Sequence, residues 1–320
     1  MVNNILITGC AGFIGFSITK SLLEKKIRII GIDNLNKYYN VKLKKARLKI
    51  LKKKNFSFYK YDLRKKSTFQ KLIKKKIDLI IHFAAQPGVR YSYENPDSYV
   101  ENNVQAFLNI LNFARQKKID LIYASSSSVY GDAKSFPVKE TDLLSPKNIY
   151  AITKRNNEEM AEIYSKSYNM RIIGLRFFTV FGEWGRPDMM ILKYFDYCSK
   201  NKKFPLYNKG NFFRDFTYIN DLVKLTLPLI FKKNKFKKCH TLLNISTGKP
   251  IKVGLLLNKL INLVSRKLIV NLKPKQPEVF KTFGDNTKIK KISKLKKFEN
   301  IDIALKKTYT WYQNYKTLFK

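Results

Sequence analysis

The sequence predicts an α/β protein built on a doubly wound, parallel sheet with a smaller C-terminal lobe. Three observations carry this. Short, almost uniformly apolar runs alternate with helix-length stretches through the first half of the chain. Those runs lack the in–out alternation of a half-exposed sheet, as expected where helices cover both faces. After about residue 180 the alternation breaks at Gly182, Gly185, Pro187, Pro205 and Gly210.

The expected strands are 5–8, 28–33, 56–60, 77–82, 121–124 and 172–176, each a run of four to six mainly apolar residues. The helices between them are 14–25, 40–53, 67–75, 98–117 and 147–168. Residues 1–180 therefore read as one dinucleotide-sized domain and 181–320 as the smaller lobe, with 241–246 (TLLNIS) returning to the main sheet.

The 320 residues include 64 Lys and Arg against 23 Asp and Glu, a formal charge of +41. Such a charge suits a nucleic-acid or anionic-membrane binder. Its distribution argues otherwise. Lysine is spread over nearly every expected surface, as in Lys42-Leu43-Lys44-Lys45, and arginine, the better reader of phosphates and base edges, is scarce beside it. We therefore expect neither a nucleic-acid nor a membrane partner. No apolar run reaches the roughly 18 residues of a membrane span, and the glycine-rich start does not read as a signal peptide. Cys10, Cys198 and Cys239 are odd in number, widely spaced and form no metal pattern with His82 and His240. They read as three small buried hydrophobes in a reducing, cytoplasmic protein without a metal.

The first strand runs into Gly9, Gly12 and Gly15, a GxxGxxG turn opening a helix. A tight strand-to-helix turn, a close pyrophosphate approach and close helix–sheet packing each require a residue without a side chain. The phosphates would then meet free amides at the helix N-terminus. Asp33, 18 residues beyond Gly15 at the end of the second strand, can accept from ribose hydroxyls and would repel a 2′-phosphate. NAD is the expected cofactor, on a Rossmann-type sheet. Asp62 and Leu63 follow the third strand, where an acidic side chain can reach the adenine. Ala84 and Ala85 follow the fourth, where small residues let backbone run beside the dinucleotide. His82 reads as a satisfied core residue.

Tyr150 and Lys154 form a YxxxK pair on one helix face. A free phenol near pKa 10 is too weakly acidic to serve as base at neutral pH. A neighbouring ammonium and a nicotinamide cation both favour the phenolate.

Taken with the serine run Ser125–Ser128, these features resemble the extended short-chain dehydrogenase/reductases. DNLNKYY (33–39), AAQPGVRYS (84–92), LRFFTVFG (175–182), WGRPDM (184–189) and RDFTYI (214–219) resemble the UDP-glucuronate 4-epimerases among them, and the likeness covers nearly the whole chain. The resemblance implies a nucleotide-sugar-binding C-terminal lobe and a homodimer formed through helices near 98–117 and 150–168. It implies that Phe13, Ile14, Asn34, Gln86, Asn102 and Phe178 join the glycines, Asp33, Asp62, Leu63, Ala84, Ala85, Tyr150 and Lys154 around NAD.

The resemblance also implies that Ser126 hydrogen-bonds the reacting sugar hydroxyl beside Tyr150. Related dehydratases carry an acidic pair at the next two positions, and related decarboxylases a nearby glutamate; here they are Ser127 and Ser128. Serines cannot act as strong acids or bases, but can donate to a uronate. The expected reaction is therefore oxidation of UDP-glucuronate at C4, rotation of the 4-keto sugar and its reduction to UDP-galacturonate. Ser127, Ser128 and Thr179 would hold the carboxylate away from the geometry in which a β-keto acid loses carbon dioxide. Arg186 and Arg214 are expected to clamp the diphosphate, and Arg90 faces either solvent or the carboxylate. A neutral UDP-hexose or N-acetylhexosamine remains an alternative substrate, and a basic, non-catalytic nucleic-acid-associated protein the alternative from another class. Gln276-Pro277-Glu278-Val279 is one residue shorter than the family's usual Gln-Pro-Gly-Asp-Val loop over the nucleotide.

Overall fold

The structure, a computed structural model, describes residues 2–232, 236–237, 239–264, 270–273 and 279–319. β1 (Asn4–Thr8) runs into α1 (Phe13–Glu24), β2 (Arg28–Ile32) into α2 (Val41–Leu51), and β3 (Phe56–Tyr59) into the short α3 (Ser67–Gln70). β4 (Leu79–His82) is followed by α4 (Tyr91–Glu94), α5 (Pro96–Tyr99), a π-helical stretch Val100–Gln105 and α6 (Ala106–Lys117). β5 (Asp120–Ser126) ends in a 3₁₀ turn, Ser127–Tyr130, before α7 (Ile149–Tyr168) and β6 (Ile172–Phe177). β7 (Thr179–Phe181), α8 (Met190–Ser199), β8 (Phe204–Tyr207), β9 (Phe213–Tyr218) and α9 (Ile219–Phe231) precede β10 (His240–Ile245). The remainder comprises β11 (Pro250–Lys252), α10 (Val253–Val264), β12 (Val270–Lys273), β13 (Lys281–Thr282), α11 (Thr287–Ser293) and α12 (Ile301–Tyr315).

The main sheet has seven parallel strands in the order β10-β6-β5-β4-β1-β2-β3. Its direction of winding reverses beside β1, where a doubly wound sheet opens a crevice at its carboxyl edge. The strands are apolar throughout because successive residues enter different cores. In β1, Ile5 and Ile7 pack into one hydrophobic cluster with α1 and α9 residues such as Phe16 and Leu225. Leu6 between them packs into the other, with Phe107, Ile110 and Leu111 of α6. The seventh strand comes from far along the chain: β10 pairs with β6, with Leu243 opposite Leu175.

Around β9 a second, small sheet forms, β7 and β13 pairing with it in parallel and β11 antiparallel. This sheet carries Thr179 and Arg214 to the same edge as the main-sheet loops.

Two expected helices differ from the sequence reading. The stretch 67–75 is helical only over Ser67–Gln70, burying Thr68 and Phe69 before turns take over ahead of the lysine run 74–76. The stretch 98–117 is interrupted by the π turns of Val100–Gln105. There the Asn103 side chain brackets Gln86, accepting from its N–H at 2.7 Å and donating to its carbonyl at 3.1 Å. Such insertions in a helix often mark functional positions.

Cys10 and Cys198 are buried, but Cys239 is exposed, which corrects the expectation of three buried thiols. His82 is a satisfied core residue, with its Nδ1 2.8 Å from Thr8 Oγ1. Lys44, which reads as surface lysine, is 5% exposed. Gln276–Glu278 lie outside the described residues. Among the described residues, no helix is long and apolar enough to cross a membrane.

Candidate active site

A cavity of about 780 Å³ opens at the carboxyl edge of the main sheet, where the ends of β1, β2, β4, β5 and β6 converge. Gly9, Gly12, Phe13, Ile14 and Gly15 form its floor under β1. Gly9 has φ +71°, and a Cβ on it would lie 2.7 Å from Ala84 N. A Cβ on Gly15 would lie 2.1 Å from the Gly9 carbonyl, so the turn closes only without side chains there. Gly12 caps α1 without a side chain, leaving the first amides of a 12-residue helix facing the cavity.

Asp33 and Asn34 line the next part of the wall. The Asp33 carboxylate accepts from Ala11 N at 3.2 Å through one oxygen and from Leu35 N at 2.8 Å through the other. Each oxygen keeps a further lone pair for a ribose hydroxyl. Asp62 and Leu63 line the far end, with Asp62 ion-paired to Arg64 at 2.7 Å and its carboxyl thereby held below the usual range. Ala84, Ala85, Asn102 and Phe178 also line the cavity. Gln86 does not: it is 4% exposed and turned into the wall, where Asn103 holds its backbone. Each feature of this half fits a dinucleotide: a cradle that a Cβ would fill, unblocked helix amides, and a buried carboxylate at ribose distance along the chain.

The serine run splits its four hydroxyls between two jobs. Ser125 turns inward and donates to Glu158 Oε1 at 2.5 Å. Ser128 donates to Ser126 Oγ at 2.8 Å, and Ser126 lies beside the Tyr150 phenol, where it favours the ionised form. The hydroxyls of Ser128, Ser126 and Tyr150 therefore gather after the end of β5, with Ser127 and Thr179 beside them in the cavity.

Tyr150 is the second residue of α7, which begins where the Asn148 side chain accepts from Ala151 N at 2.9 Å. One turn later, Lys154 donates from Nζ to the Ala124 carbonyl at 2.8 Å. Burial lowers the Lys154 ammonium to about 8, against the opposing pull of Glu158. Burial also raises the Tyr150 phenol, while Ser126 and then Arg186 pull it back. Arg186 thus favours the phenolate in this structure, a cation that the sequence reading did not place there. A nicotinamide cation at this end of the cavity would add the same sense of shift.

Arg186, expected at the diphosphate, is locked to Asp188 by two contacts, Nε–Oδ1 at 3.0 Å and Nη2–Oδ2 at 2.5 Å, within electrostatic reach of Tyr150. Its segment is held from below by Arg47, which is fully buried. Arg47 donates to Ala11 O at 2.8 Å, Trp184 O at 2.6 Å and Gly185 O at 3.0 Å, joining the glycine turn to the approach to Arg186. Arg214 lines the cavity from β9, donating to the carbonyls of Phe213 at 2.9 Å and Phe280 at 3.2 Å. Its neighbour Asp215 is buried and accepts from Thr247 and Gly248; burial raises its carboxyl to about 6. Arg90 lies at the rim with its guanidinium 4.0 Å from the centre of the Tyr207 ring.

Sequence reasoning missed Tyr38, Lys44, Arg47 and Asp188. Tyr38 and Asp188 fall in segments that carry the family resemblance, but nothing in the sequence joins them. Lys44 and Arg47 sit in a lysine-rich helix, indistinguishable there from solvent-facing charge.

Residues 5–245 match the model of the NAD dependent epimerase/dehydratase family. Protein CapI of Staphylococcus aureus is 37% identical across 97% of this chain and 98% of its own. A probable UDP-glucuronate 4-epimerase of Rhizobium meliloti is 34% identical across 97% of each. The UDP-glucuronic acid 4-epimerase of Bacillus cereus, solved in complex with UDP-glucuronic acid and NAD, superposes with a TM-score of 0.91. It is 28% identical, and the match covers 98% of this chain and 99% of that one.

Gly15→Ala places a methyl group against the Gly9 carbonyl. NAD binding, followed by titration calorimetry, is expected to weaken at least about tenfold, about 1.4 kcal/mol; unchanged affinity would mean the turn does not carry the dinucleotide.

Proposed function

The chain belongs to the NAD dependent epimerase/dehydratase family, and from that premise we propose that it interconverts UDP-glucuronate and UDP-galacturonate. The observation that carries this reading is the gathering of the Ser128, Ser126 and Tyr150 hydroxyls at one end of the cavity. It places a proton acceptor beside a wall of alcohols, with no acid following Ser126 to drive elimination.

NAD, when bound, supplies the hydride acceptor and donor at C4. The protein's own part is proton handling and restraint. The Tyr150 phenolate takes the proton of the C4 hydroxyl as the C4–H bond breaks, and returns it after the 4-keto sugar has turned to show its other face. Ser126 holds the reacting oxygen, and Lys154 faces the nicotinamide ribose. Ser127 and Thr179 donate to the uronate carboxylate, and Ser128 turns its hydroxyl from Ser126 to join them when the sugar is bound. They stabilise it as an anion and keep its bond to the ring out of the perpendicular arrangement that favours loss of carbon dioxide. Arg214 meets the diphosphate with a guanidinium fork, with Arg90 at the rim beside it. Arg186, fixed near Tyr150, serves the sugar end. Firm hold on the UDP and loose hold on the ring allow the rotation.

Residues 1–180 hold the dinucleotide and 181–320 mainly the nucleotide sugar, with β10 belonging to the main sheet. We assign the protein to the cytoplasm, in nucleotide-sugar supply for a surface polysaccharide, and without a nucleic-acid or membrane partner. Two copies would pair through α6 and α7, where Ile152 and Ile163 of α7 are 54% and 61% exposed. A single monomeric boundary in sedimentation at micromolar concentration would rule that pairing out.

Purified protein supplied with UDP-glucuronate, UDP-glucose and UDP-N-acetylglucosamine separately should turn over the first by far the fastest. A preference for either neutral sugar would overturn the substrate assignment, and a salt-sensitive DNA shift in protein that takes up no NAD would point to the non-catalytic alternative. Tyr150→Phe should lower kcat by about 10²–10⁴-fold. Ser128→Glu should divert product toward carbon dioxide release; an unchanged product ratio would remove the serines from the account.

A further inference from the structure

Three segments distant in sequence meet at the end of the cavity that Tyr150 lines. Tyr38, from the loop after β2, donates its hydroxyl to Asp188 Oδ2 at 3.1 Å, across 150 positions of chain. Asp188, from the loop before α8, grips Arg186 through both carboxylate oxygens. The guanidinium lies 6.0 Å from the centre of the Tyr38 ring. The third segment is the loop after β4. Gly88 there has φ +101°, and a Cβ on it would fall 2.3 Å from the Tyr38 hydroxyl, so the phenol reaches Asp188 only because that position is glycine. Tyr99 holds this loop by donating to the carbonyls of Pro87 at 2.8 Å and Gly88 at 2.5 Å, and its ring stands edge-on to Tyr150 at 6.1 Å.

Arginine side chains carry much rotamer freedom, and a half-buried one facing an open cavity has solvent to swing into. A two-pronged carboxylate removes that freedom, since the planar fork fits only one way. The Tyr38 hydroxyl in turn fixes the carboxylate. Resting on the assignment of Tyr150 as the base, we propose that Tyr38 and Asp188 are positioning residues that hold the Arg186 guanidinium in place at the end of the cavity that Tyr150 lines.

Among the described residues, the charged and titratable groups around this unit are few, and Tyr91 packs on Tyr38 beside it. Tyr150 faces Ser126, Tyr99 and Arg186, with Lys154 on its own helix engaged by the Ala124 carbonyl. Arg186 faces Asp188, Tyr38, Tyr99 and Tyr150. Asp188 also feels Lys193 of α8, which in turn feels Arg90. A cation held near a phenol lowers its pKa, so letting the cation drift raises it.

Tyr150 can be titrated directly in the NAD-loaded protein, as the difference in tyrosinate absorbance between each variant and the same variant carrying Tyr150→Phe. Tyr38→Phe changes no charge, and it is the decisive variant should Asp188→Asn fold poorly. The phenolate midpoint should rise by about half a pH unit or more in Tyr38→Phe, toward that of Arg186→Gln, and by less in Asp188→Asn, which also removes an anion whose loss lowers it. The rising limb of kcat against pH should move the same way. A Tyr38→Phe midpoint equal to or below that of the unaltered protein overturns the proposal, whatever the activity. If the midpoints rise as stated while the unaltered protein fails to convert UDP-glucuronate, the positioning role stands and the epimerase reading falls.

Discussion

A buried ion pair, Glu158 on α7 with Arg176 on β6, ties together the elements that meet at the cavity floor. Arg176 donates to both carboxylate oxygens, at 2.9 Å and 2.7 Å, and its other nitrogen reaches the Tyr130 hydroxyl at 2.8 Å and the Glu140 carbonyl at 3.0 Å. Glu158 also accepts from Ser125, and Tyr130 donates to Asn244 of β10 at 2.7 Å. Both members of the pair are almost wholly shielded from solvent. A buried pair of this kind adds little net stability over apolar residues of the same size, whereas removing one partner costs about 3–5 kcal/mol. What it contributes is geometry. It sets α7 against β5 and β6 at one angle and so fixes how far Tyr150 stands from Ser126.

The same arrangement explains why one serine of the run is sacrificed to the interior. Ser125 and Ser126 are successive residues of a strand and point to opposite faces. Ser125 meets Glu158 on the buried side, and Ser126 meets Tyr150 on the cavity side. The turn that follows brings Ser128 back onto Ser126. The phenol is nevertheless held above its usual pKa by burial, with Ser126 and Arg186 only partly offsetting this. The base is therefore incomplete without further positive charge, which the oxidised nicotinamide would supply. A base whose strength depended on the oxidised cofactor would keep proton removal and hydride removal in step.

Much of this was legible in the sequence because it depends on local backbone chemistry. A strand, a GxxGxxG turn and a helix need no tertiary information, and neither does an i, i+4 Tyr–Lys pair. The apolar runs read as strands because both sheet faces are covered. What the sequence did not reveal depends on contacts between distant segments. The Tyr38–Asp188 hydrogen bond spans 150 positions. Arg47 and Lys44 lie on the inner face of a helix whose composition is basic on every side, so charge pattern alone could not separate inner from outer lysines. The π turns at Val100–Gln105 follow from Asn103 engaging Gln86, a partner 17 positions away that helix propensity does not encode. The pairing of Arg186 with Asp188 has the same origin: the residue type announces an anion, and only the fold brings that carboxylate to it.

The account stands on one chemical claim: the hydrogen removed from C4 stays inside the closed site and goes back to the same carbon from the other side. Turnover of UDP-glucuronate in heavy water, with mass and proton spectra of the UDP-galacturonate formed, tests it directly. The account predicts product with no deuterium at C4 even after many turnovers. Deuterium appearing at C4 in proportion to product would show that the hydrogen passes through solvent, and would contradict it.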